Sequence, residues 1–383
     1  RQPWRARRGV WKAVPRPRRH PRRTGATEVR PSLHNCPKFI DKTGRFNDNP
    51  LRSRRGVPFL NAAHDIVAGD GMSHIWPIGG GKGGSGKSFL TGSLGAILAK
   101  EGFRTLLIDL DLGAANLHTI IGFPHPPRSL SDFIRRRCST LSDTVVETPT
   151  PGLFLISGAM NTLDIANLAH EQKMKVIRHI AGLPFDHILL DLGAGTSFNT
   201  IDFFLTSPSG IFVTTPEPTA IENIYRLIRS VYFRKIRKAF DTHHFQKLAR
   251  EAEERNPMAK VTNPDLLLAV IRELDPERGE LLAGELESFQ FKLIVNQHRK
   301  QDNPHIGTMI CKIISRHLNL KIVFLGNVAF DDRVHNAVCK TSLFIDLYPF
   351  TQTVHDLRQC LRNLLSSSVV GGKCDLSGSM SDF

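Results

Sequence analysis

The chain has 383 residues, of which 40% are hydrophobic and 23% charged, so it can bury the core of one large or two ordinary domains. Its formal net charge is +15, but residues 1–71 hold 17 Lys and Arg against 5 Asp and Glu, and residues 72–383 hold 34 against 31. The six cysteines form no C-x-x-C pair, and no apolar run approaches the roughly 18 residues of a bilayer span. These features argue against a zinc site, a disulfide framework and a transmembrane protein, so we expect a cytoplasmic location.

Residues 1–71 carry the excess positive charge and are broken by arginine and proline without a sustained apolar period, so we expect no packed structure there. Three interpretations stay open. The segment is an arm that attracts nucleic acid or an anionic membrane, a transit-like segment, or upstream translated sequence outside the native protein. The last is favoured, because the first methionine is Met72, three residues before the first predicted strand.

Residues 72–365 alternate apolar runs with helical patterns, which predicts an α/β fold: a doubly wound, mostly parallel sheet with helices on both faces. A charged helical segment at 241–290 exceeds a normal connection and predicts a small helical insertion, and 366–383 is expected to be a disordered tail. The predicted strands are 75–79, 105–110, 153–157, 187–191, 211–214, 291–296 and 322–325, and the main predicted helices are 88–100, 171–183, 219–240, 304–318 and 353–365.

A glycine-rich loop, IWPIGGGKGGSGKS, joins the first strand to the first helix. From Gly81 its spacing fits G-x-x-x-x-G-K-[ST], in which backbone N–H groups and a helix N-terminus converge on phosphate. Lys87 is expected to reach the β- and γ-phosphates, and the Ser88 hydroxyl to complete a Mg²⁺ shell. The alternative, a glycine turn that binds nothing, is disfavoured because strand and helix both flank the motif. The expected nucleotide-binding residues here are Gly81, Lys82, Gly83, Gly84, Ser85, Gly86, Lys87, Ser88 and Phe89.

Carboxylates follow two of the predicted strands. Asp109 and Asp111 lie two residues apart, so on an extended segment they point the same way, toward the phosphate loop. Asp191 ends an apolar run and precedes Gly193 and Gly195, so we expect it to hold Mg²⁺ through water while the glycines let the loop respond to the γ-phosphate. Helix capping for the first pair and an ordinary turn for the second are the alternatives.

Two later helical segments raise the question of a macromolecular partner. Four cations lie close together at 234–238, where a solvated helix end is favoured over a surface for DNA or a partner protein. Apolar residues recur at helical spacing in 353–365, where core packing is favoured over membrane binding because Arg358 and Arg362 are its only cations.

The loop KGGSGKS, with Lys82 directly after Gly81, resembles the deviant phosphate loop of the MinD/ParA family of P-loop ATPases. In that family the first lysine reaches the nucleotide held by the other subunit of a dimer, which is the role the resemblance gives to Lys82. The segment DLDLGAAN is similar to the family pattern D-x-D-x-G-x-x-N. The resemblance assigns Asp111 to the attacking water and Asp109 to the water shell of the metal, and Asn116 matches the asparagine of the pattern.

The resemblance extends to the last strands. Asn296 ends FKLIVN, where the family places an asparagine that pairs with the adenine edge. The family often continues its last strand with G-x-x-P-x-D, but the segment Gly326–Asp331 lacks the proline, so a backbone contact to the base at that point is in doubt. ATP is favoured over GTP, since the sequence has no N-K-x-D element.

The family resemblance implies a slow, partner-stimulated ATPase that binds ATP and Mg²⁺ and forms a homodimer when ATP is bound. Lys82, Lys87 and Asp111 are the expected catalytic residues, and Ser88, Asp109 and Asp191 the expected metal-side residues. The segments DLGAANLH and NVAFDDRV resemble members of MinD and FlhG type, which implies spatial or numerical regulation of a flagellum or septum by way of an unidentified activating protein. Peripheral attachment at the inner face of the membrane stays open. The alternative is a ParA-like partition ATPase that binds nucleic acid in its ATP state.

Overall fold

The strands within the described part of the chain form one eight-stranded sheet. The structure is a computed structural model that describes residues 73–158, 168–242 and 245–369. The predicted segment 1–71 and most of the predicted tail lie outside these residues. The strands are β1 His74–Gly80, β2 Thr105–Leu110, β3 Val146–Glu147, β4 Leu153–Ile156, β5 His187–Ala194, β6 Ile211–Thr214, β7 Phe291–His298 and β8 Ile322–Ala329.

The strand order is β3-β4-β2-β5-β1-β6-β7-β8. Every pair is parallel except β3 with β4, which confirms the predicted mostly parallel sheet. All seven predicted strands are present. The two-residue strand β3 was missed, because so short a segment carries no readable alternation.

The described residues form thirteen α-helices and one 3₁₀ turn at Ser142–Thr144, and the longer helices match the predicted segments. The helices are α1 Lys87–Lys100, α2 Leu117–Ile120, α3 Leu130–Ile134, α4 His170–Ile180, α5 Phe198–Phe204, α6 Pro218–Thr242, α7 Gln246–Arg255, α8 Pro264–Leu274, α9 Pro276–Glu287, α10 Ile306–Leu318, α11 Arg333–Cys339, α12 Phe344–Leu347 and α13 Gln352–Val369.

The sheet has a hydrophobic core on each face, as predicted. The central strand β2 is buried at all six positions, and its side chains alternate: Leu106 and Ile108 join the core beneath α4, α5, α6 and α10, whereas Leu107 joins the core beneath α1 and α13. A strand with both faces covered needs a nearly continuous apolar run, which is why β2 reads TLLIDL. Helices α7 to α9 extend the first core through Leu248, Ile271 and Leu282.

Helix α13 packs against the last strand of the sheet. The apolar residues at helical spacing in this segment are buried, so the predicted core packing is confirmed. The helix also bonds to the backbone of β8: the Asn363 side chain donates to the Leu325 carbonyl at 2.8 Å, the Thr353 hydroxyl donates to the Ala329 carbonyl at 3.0 Å, and Asp356 accepts from the Ala329 N–H at 3.0 Å. Within the described residues, no helix combines the length and apolarity needed to cross a bilayer.

Candidate nucleotide site

The glycine-rich loop leaves β1 at the carboxyl edge of the sheet and enters α1 at Lys87. Gly84 and Gly86 adopt positive φ values of 78° and 84°, which turn the backbone sharply before the helix begins. Lys82 and Gly83 are exposed, whereas Lys87 is only 7% exposed. The loop therefore presents an open concave backbone with one lysine at its rim and one in its floor.

Two glycines of the loop are required by close contacts. A Cβ on Gly81 would lie 2.3 Å from the carbonyl carbon of Asn223, so the loop packs directly on the backbone of α6. A Cβ on Gly86 would lie 2.1 Å from the side-chain nitrogen of Asn296. Glycine at these two positions of the phosphate motif thus has a packing reason besides its use in anion binding.

Two amide side chains after β7 hold the loop in place. Asn296 is buried and donates from Nδ2 to the Ser85 carbonyl at 2.9 Å, and Gln297 donates from Nε2 to the Gly84 carbonyl at 2.8 Å. Gln297 adopts a positive φ of 57°. Asn296 was predicted as a base-binding residue, and in this structure its amide group bonds the loop; Gln297 was missed, since nothing in the sequence links it to a segment more than 200 residues away.

Asp109 and Asp191 lie side by side on neighbouring strands, β2 and β5, and both are fully buried. Burial and the charge of Asp191 raise the pKa of Asp109 well above its usual value. Burial raises the pKa of Asp191 to about 6, although the Ser88 hydroxyl and the charge of Lys87 act in the opposite direction. The Thr91 hydroxyl also lies 3.4 Å from Asp191.

Asp109 has a structural use that the sequence left open. Its two oxygens accept from the backbone N–H groups of Asp111 and Leu117, both at 3.1 Å, and Leu117 is the first residue of α2. The carboxylate therefore caps the helix that follows. Asp111 is half-buried and lies beside Gly193, where a Cβ would be 3.3 Å from its carboxylate oxygen. Asn116 is exposed and donates to the Ala114 carbonyl.

The donor set at this edge fits a magnesium ion. Two buried carboxylates with raised pKa values lie side by side, one of them, Asp191, is hydrogen-bonded to the hydroxyl of Ser88, and Mg²⁺ prefers oxygen ligands of this kind. Because Asp109 is already occupied by backbone donors, Asp191 and Ser88 are the better placed of the predicted metal-side residues. The ammonium group of Lys87 partly offsets the charge of Asp191.

A cavity of about 280 Å³ lies on the β7 and β8 side of the loop. Its apolar walls come from Phe89, Ala329, Phe330 and Val334, and its polar lining residues are Asn296, Gln297, Asp331, Asp332 and His335. The Arg299 guanidinium lies 3.7 Å from the centroid of the Phe330 ring and fixes that ring on its outer side. An aromatic ring and apolar walls beside a phosphate loop suit a flat heteroaromatic base. Phe330 occupies the segment in which the sequence lacks the expected proline.

A second, smaller cavity of about 90 Å³ lies on the other side of the loop. It brings the rim lysine, Lys82, together with Thr215 and Glu217 from the turn between β6 and α6. The Thr215 hydroxyl bonds the Glu217 carboxylate. The motif gave no signal for Thr215 and Glu217, because they come from a connection that shares no sequence pattern with the loop.

The cations at the end of α6 are mostly paired. Arg234 bonds Asp202, Lys235 lies 2.9 Å from Glu285 on α9, and Lys238 is half-buried, which leaves Arg237 as the exposed one of the four. These pairs agree with the interpretation of this segment as an ordinary helix end, with its charges balanced inside the protein.

Comparisons with known proteins agree with this geometry. Residues 77–344 match the family described as the CobQ/CobB/MinD/ParA nucleotide binding domain. The antiactivator FleN of Pseudomonas aeruginosa is 24% identical over 273 residues, which cover 70% of this chain and 78% of FleN. The septum site-determining protein MinD of Synechocystis is 32% identical over 158 residues, which cover 41% of this chain and 59% of MinD. The chain thus spans somewhat more than half of the length of that MinD.

Among solved structures, the septum site-determining protein MinD of Pyrococcus horikoshii, complexed with Mg-ADP, superposes with a TM-score of 0.54. The match covers 78% of this chain and all of that one at 17% identity, so it shows a shared fold. The predicted resemblance to the MinD/ParA family and the predicted fold class are confirmed.

Proposed function

Because the chain belongs to the CobQ/CobB/MinD/ParA family of nucleotide binding domains, we propose that it is an ATP- and Mg²⁺-dependent dimerisation switch that hydrolyses ATP slowly. The observation that carries the proposal is the arrangement around β1, β2 and β5. An open glycine loop, a buried lysine and two buried carboxylates meet at one edge of the sheet, next to a cavity suited to a base. That set of groups can hold a nucleoside triphosphate and act on its terminal phosphate.

Binding is divided between the two sides of the loop. Backbone N–H groups of the loop and the ammonium group of Lys87 would neutralise the β- and γ-phosphates, while Phe330 and Asn296 line the space for the base. Mg²⁺, when bound, would screen the phosphate charge, and Ser88 and Asp191 are the residues that would hold it. The P. horikoshii MinD is complexed with Mg-ADP, which supports binding of a magnesium nucleotide by a chain of this fold.

Hydrolysis would depend on Asp111. Its half-buried carboxylate stands at the carboxyl edge beside Gly193, where it can accept a hydrogen bond from a water and orient it toward the γ-phosphate. Lys82 is exposed at the rim of the same loop, so its ammonium group is available to a nucleotide held by a second copy. We therefore propose that Lys82, Lys87 and Asp111 act together only in the dimer.

The cellular process is inferred from the relatives. FleN is named as an antiactivator and MinD as a septum site-determining protein, which supports regulation of the number or position of a cellular structure, with an activating protein that speeds hydrolysis. The alternative of a ParA-like protein that binds DNA is less well supported, because Arg234 and Lys235 are engaged in ion pairs. Salt-dependent DNA binding by the ATP-bound protein would favour that alternative.

The proposal is tested with Asp111→Ala. We expect this variant to bind ATP and dimerise as the wild type does, but to hydrolyse ATP about 100-fold more slowly, since positioned acid–base groups contribute about that much or more. Phosphate release measures hydrolysis, calorimetry measures binding, and analytical ultracentrifugation with ATP and Mg²⁺ measures dimerisation.

The matched control is Asp241→Ala, which removes an exposed carboxylate from the far end of α6 and should leave all three measurements unchanged. A wild-type chain that binds no ATP, or an Asp111→Ala variant that is saturated with ATP and monomeric, would contradict the proposed function.

A further inference from the structure

Helix α6 contacts two parts of the candidate site. Near its start, its backbone at Asn223 packs against Gly81 of the phosphate loop so closely that no side chain fits between them. About three turns further along, Arg234 reaches α5, the helix that follows the loop of Gly193 and Gly195. One rigid helix thus touches both the phosphate loop and the helix beyond the second loop.

The contact between α6 and α5 is a buried ion cluster. The carboxylate of Asp202 on α5 is 2% exposed and accepts from Arg234 through Nε at 3.1 Å and Nη2 at 3.4 Å. Lys173 on α4 is also buried and donates to the same carboxylate. Burial alone would raise the pKa of Asp202, but the hydrogen bonds and charges of Lys173 and Arg234 hold it below the usual value. Two cations on different helices therefore fix one carboxylate on α5.

Helix α5 in turn meets the loop at its first turn. Ser197 caps the helix, because its hydroxyl accepts from the Thr200 N–H at 3.1 Å and lies 2.9 Å from the Thr200 hydroxyl. A Cβ on Gly193 would lie 3.8 Å from the Thr200 hydroxyl and 3.3 Å from the Asp111 carboxylate. The Gly195 N–H donates to the Gly80 carbonyl at 3.0 Å, just before the phosphate loop. A shift of α5 would therefore move the surroundings of Asp111.

We propose that Lys173, Asp202 and Arg234 form a positioning cluster that ties α5 to α6 and so fixes the loop 193–197 against the phosphate loop for hydrolysis. This inference rests on the proposed function. The cluster touches no reacting atom; it acts by holding α5 to the same helix that supports Gly81. A misplacement of the loop should lower the rate of the chemical step and leave the grip on the nucleotide intact, because the contacts of Lys87 and Asn296 do not involve α5.

The test is Arg234→Gln. This side chain is 33% exposed, and its removal leaves a neutral pair of Lys173 with Asp202, so the variant avoids an uncompensated buried charge. We expect kcat for ATP hydrolysis to fall about tenfold while KM and the Kd for ATP change less than about twofold. Without nucleotide, amide hydrogen exchange of residues 193–204 should rise about tenfold. Arg234→Lys, which keeps the charge but loses the two-point contact, should give an intermediate kcat.

Lys235→Gln is the matched control. It removes the neighbouring cation of the same helix, which pairs with Glu285 on α9 rather than with α5, and it should leave kcat and exchange in 193–204 unchanged. Lys173→Met tests the cluster from the other side and should repeat the effect of Arg234→Gln.

Wild-type exchange in 193–204 in both Arg234→Gln and Lys173→Met would overturn the proposal. Equal losses of kcat and ATP affinity in Arg234→Gln and Lys235→Gln would also overturn it, since they would indicate general destabilisation. Because the exchange is measured without nucleotide, it tests the cluster even if the wild-type chain does not hydrolyse ATP, a result that would contradict the proposed function alone.

Discussion

Strand β5 carries two buried ionisable residues, one at its amino end and one toward its carboxyl end, and their surroundings differ. At the amino end, His187 is fully buried, and neither ring nitrogen has a hydrogen-bond partner among the residues that the structure describes. Its ring stacks on Trp76 with centroids 4.8 Å apart and meets Phe103 edge-on at 4.8 Å. Toward the carboxyl end, Asp191 is equally buried but lies among the hydroxyl of Thr91, Ser88 and Lys87.

Burial shifts both residues away from their usual titration, in opposite directions. It lowers the pKa of His187 to about 3, with a further contribution from His74, and raises the pKa of Asp191 to about 6. In each case burial disfavours the charged form. A perturbed pKa therefore does not by itself identify a functional site. The site is identified by hydroxyl and ammonium groups from Ser88, Thr91 and Lys87 that converge on Asp191, whereas His187 lies among the rings of Trp76, Phe103 and His74.

The largest expected effect that tests this comparison is at the carboxyl end. Lys87→Ala should weaken ATP binding by about 100-fold, because it removes a buried charge-assisted contact to phosphate. Calorimetry with ATP and Mg²⁺ measures the change. Lys100→Ala, at the other end of α1, is the control: its ammonium group lies 2.5 Å from Asp346 on the surface, and ATP affinity should not change. Equal ATP affinities in wild type and Lys87→Ala would contradict the assignment of the nucleotide site to the carboxyl end of β5.

The second effect is on stability, at the amino end. His187 has a folded-state pKa of about 3, below the unfolded value of 6.5, so the unfolded chain binds a proton in that window and the folded chain does not. The contribution of the neutral His187 ring to the free energy of unfolding is therefore fully present above pH 6.5 and is lost as the pH falls toward 3. Between pH 7.5 and pH 4.5 the loss from this residue should be about 3 kcal/mol.

His187→Phe keeps an aromatic ring against Trp76 and cannot bind the proton. We expect its urea-unfolding free energy to fall by about 3 kcal/mol less than that of the wild type between pH 7.5 and pH 4.5. His317→Gln, an exposed histidine of α10, should follow the wild type. Parallel pH profiles for wild type and His187→Phe would show that the buried ring is not the source of acid sensitivity.

The smallest effect lies within the carboxyl edge, at the cavity. Phe330→Ala should weaken ATP binding about fivefold, since an aromatic contact contributes about 1 kcal/mol. The affinity for a triphosphate without a base should stay the same. Phe350→Ala removes a fully exposed ring outside the cavity and serves as the control. An equal loss of affinity for ATP and for the triphosphate without a base would show that Phe330 supports the phosphate loop and does not bind the base.

The features that could be predicted from the sequence depend on short, local patterns. Strands such as β2 are buried on both faces and read as continuous apolar runs, and the phosphate loop has a fixed spacing between a strand and a helix. Because carboxyl ends of parallel strands meet at one edge, the proximity of Asp109 and Asp191 followed from the fold class. The predicted nucleotide and metal roles of these residues stay predictions.

The features that could not be predicted join distant segments without a pattern. Nothing in the sequence indicates that Gln297 bonds the carbonyl of Gly84, or that α6 packs on Gly81. The ion cluster of Lys173, Asp202 and Arg234 is equally invisible, because each residue reads as an ordinary charge on its own helix. For Asp109 the sequence allowed both a metal role and a capping role. The structure shows that its carboxylate accepts hydrogen bonds from backbone N–H groups.

The bonds between α13 and β8 carry a consequence for the behaviour of shortened chains. β8 ends the sheet, and the side chains of Thr353, Asp356 and Asn363 occupy parts of its backbone that would otherwise be open to a new strand. A protein cut before residue 352 would expose that backbone together with the apolar surface beneath the helix. We expect such fragments to self-associate through the edge of β8, so α13 protects the protein from polymerisation and also forms part of the core.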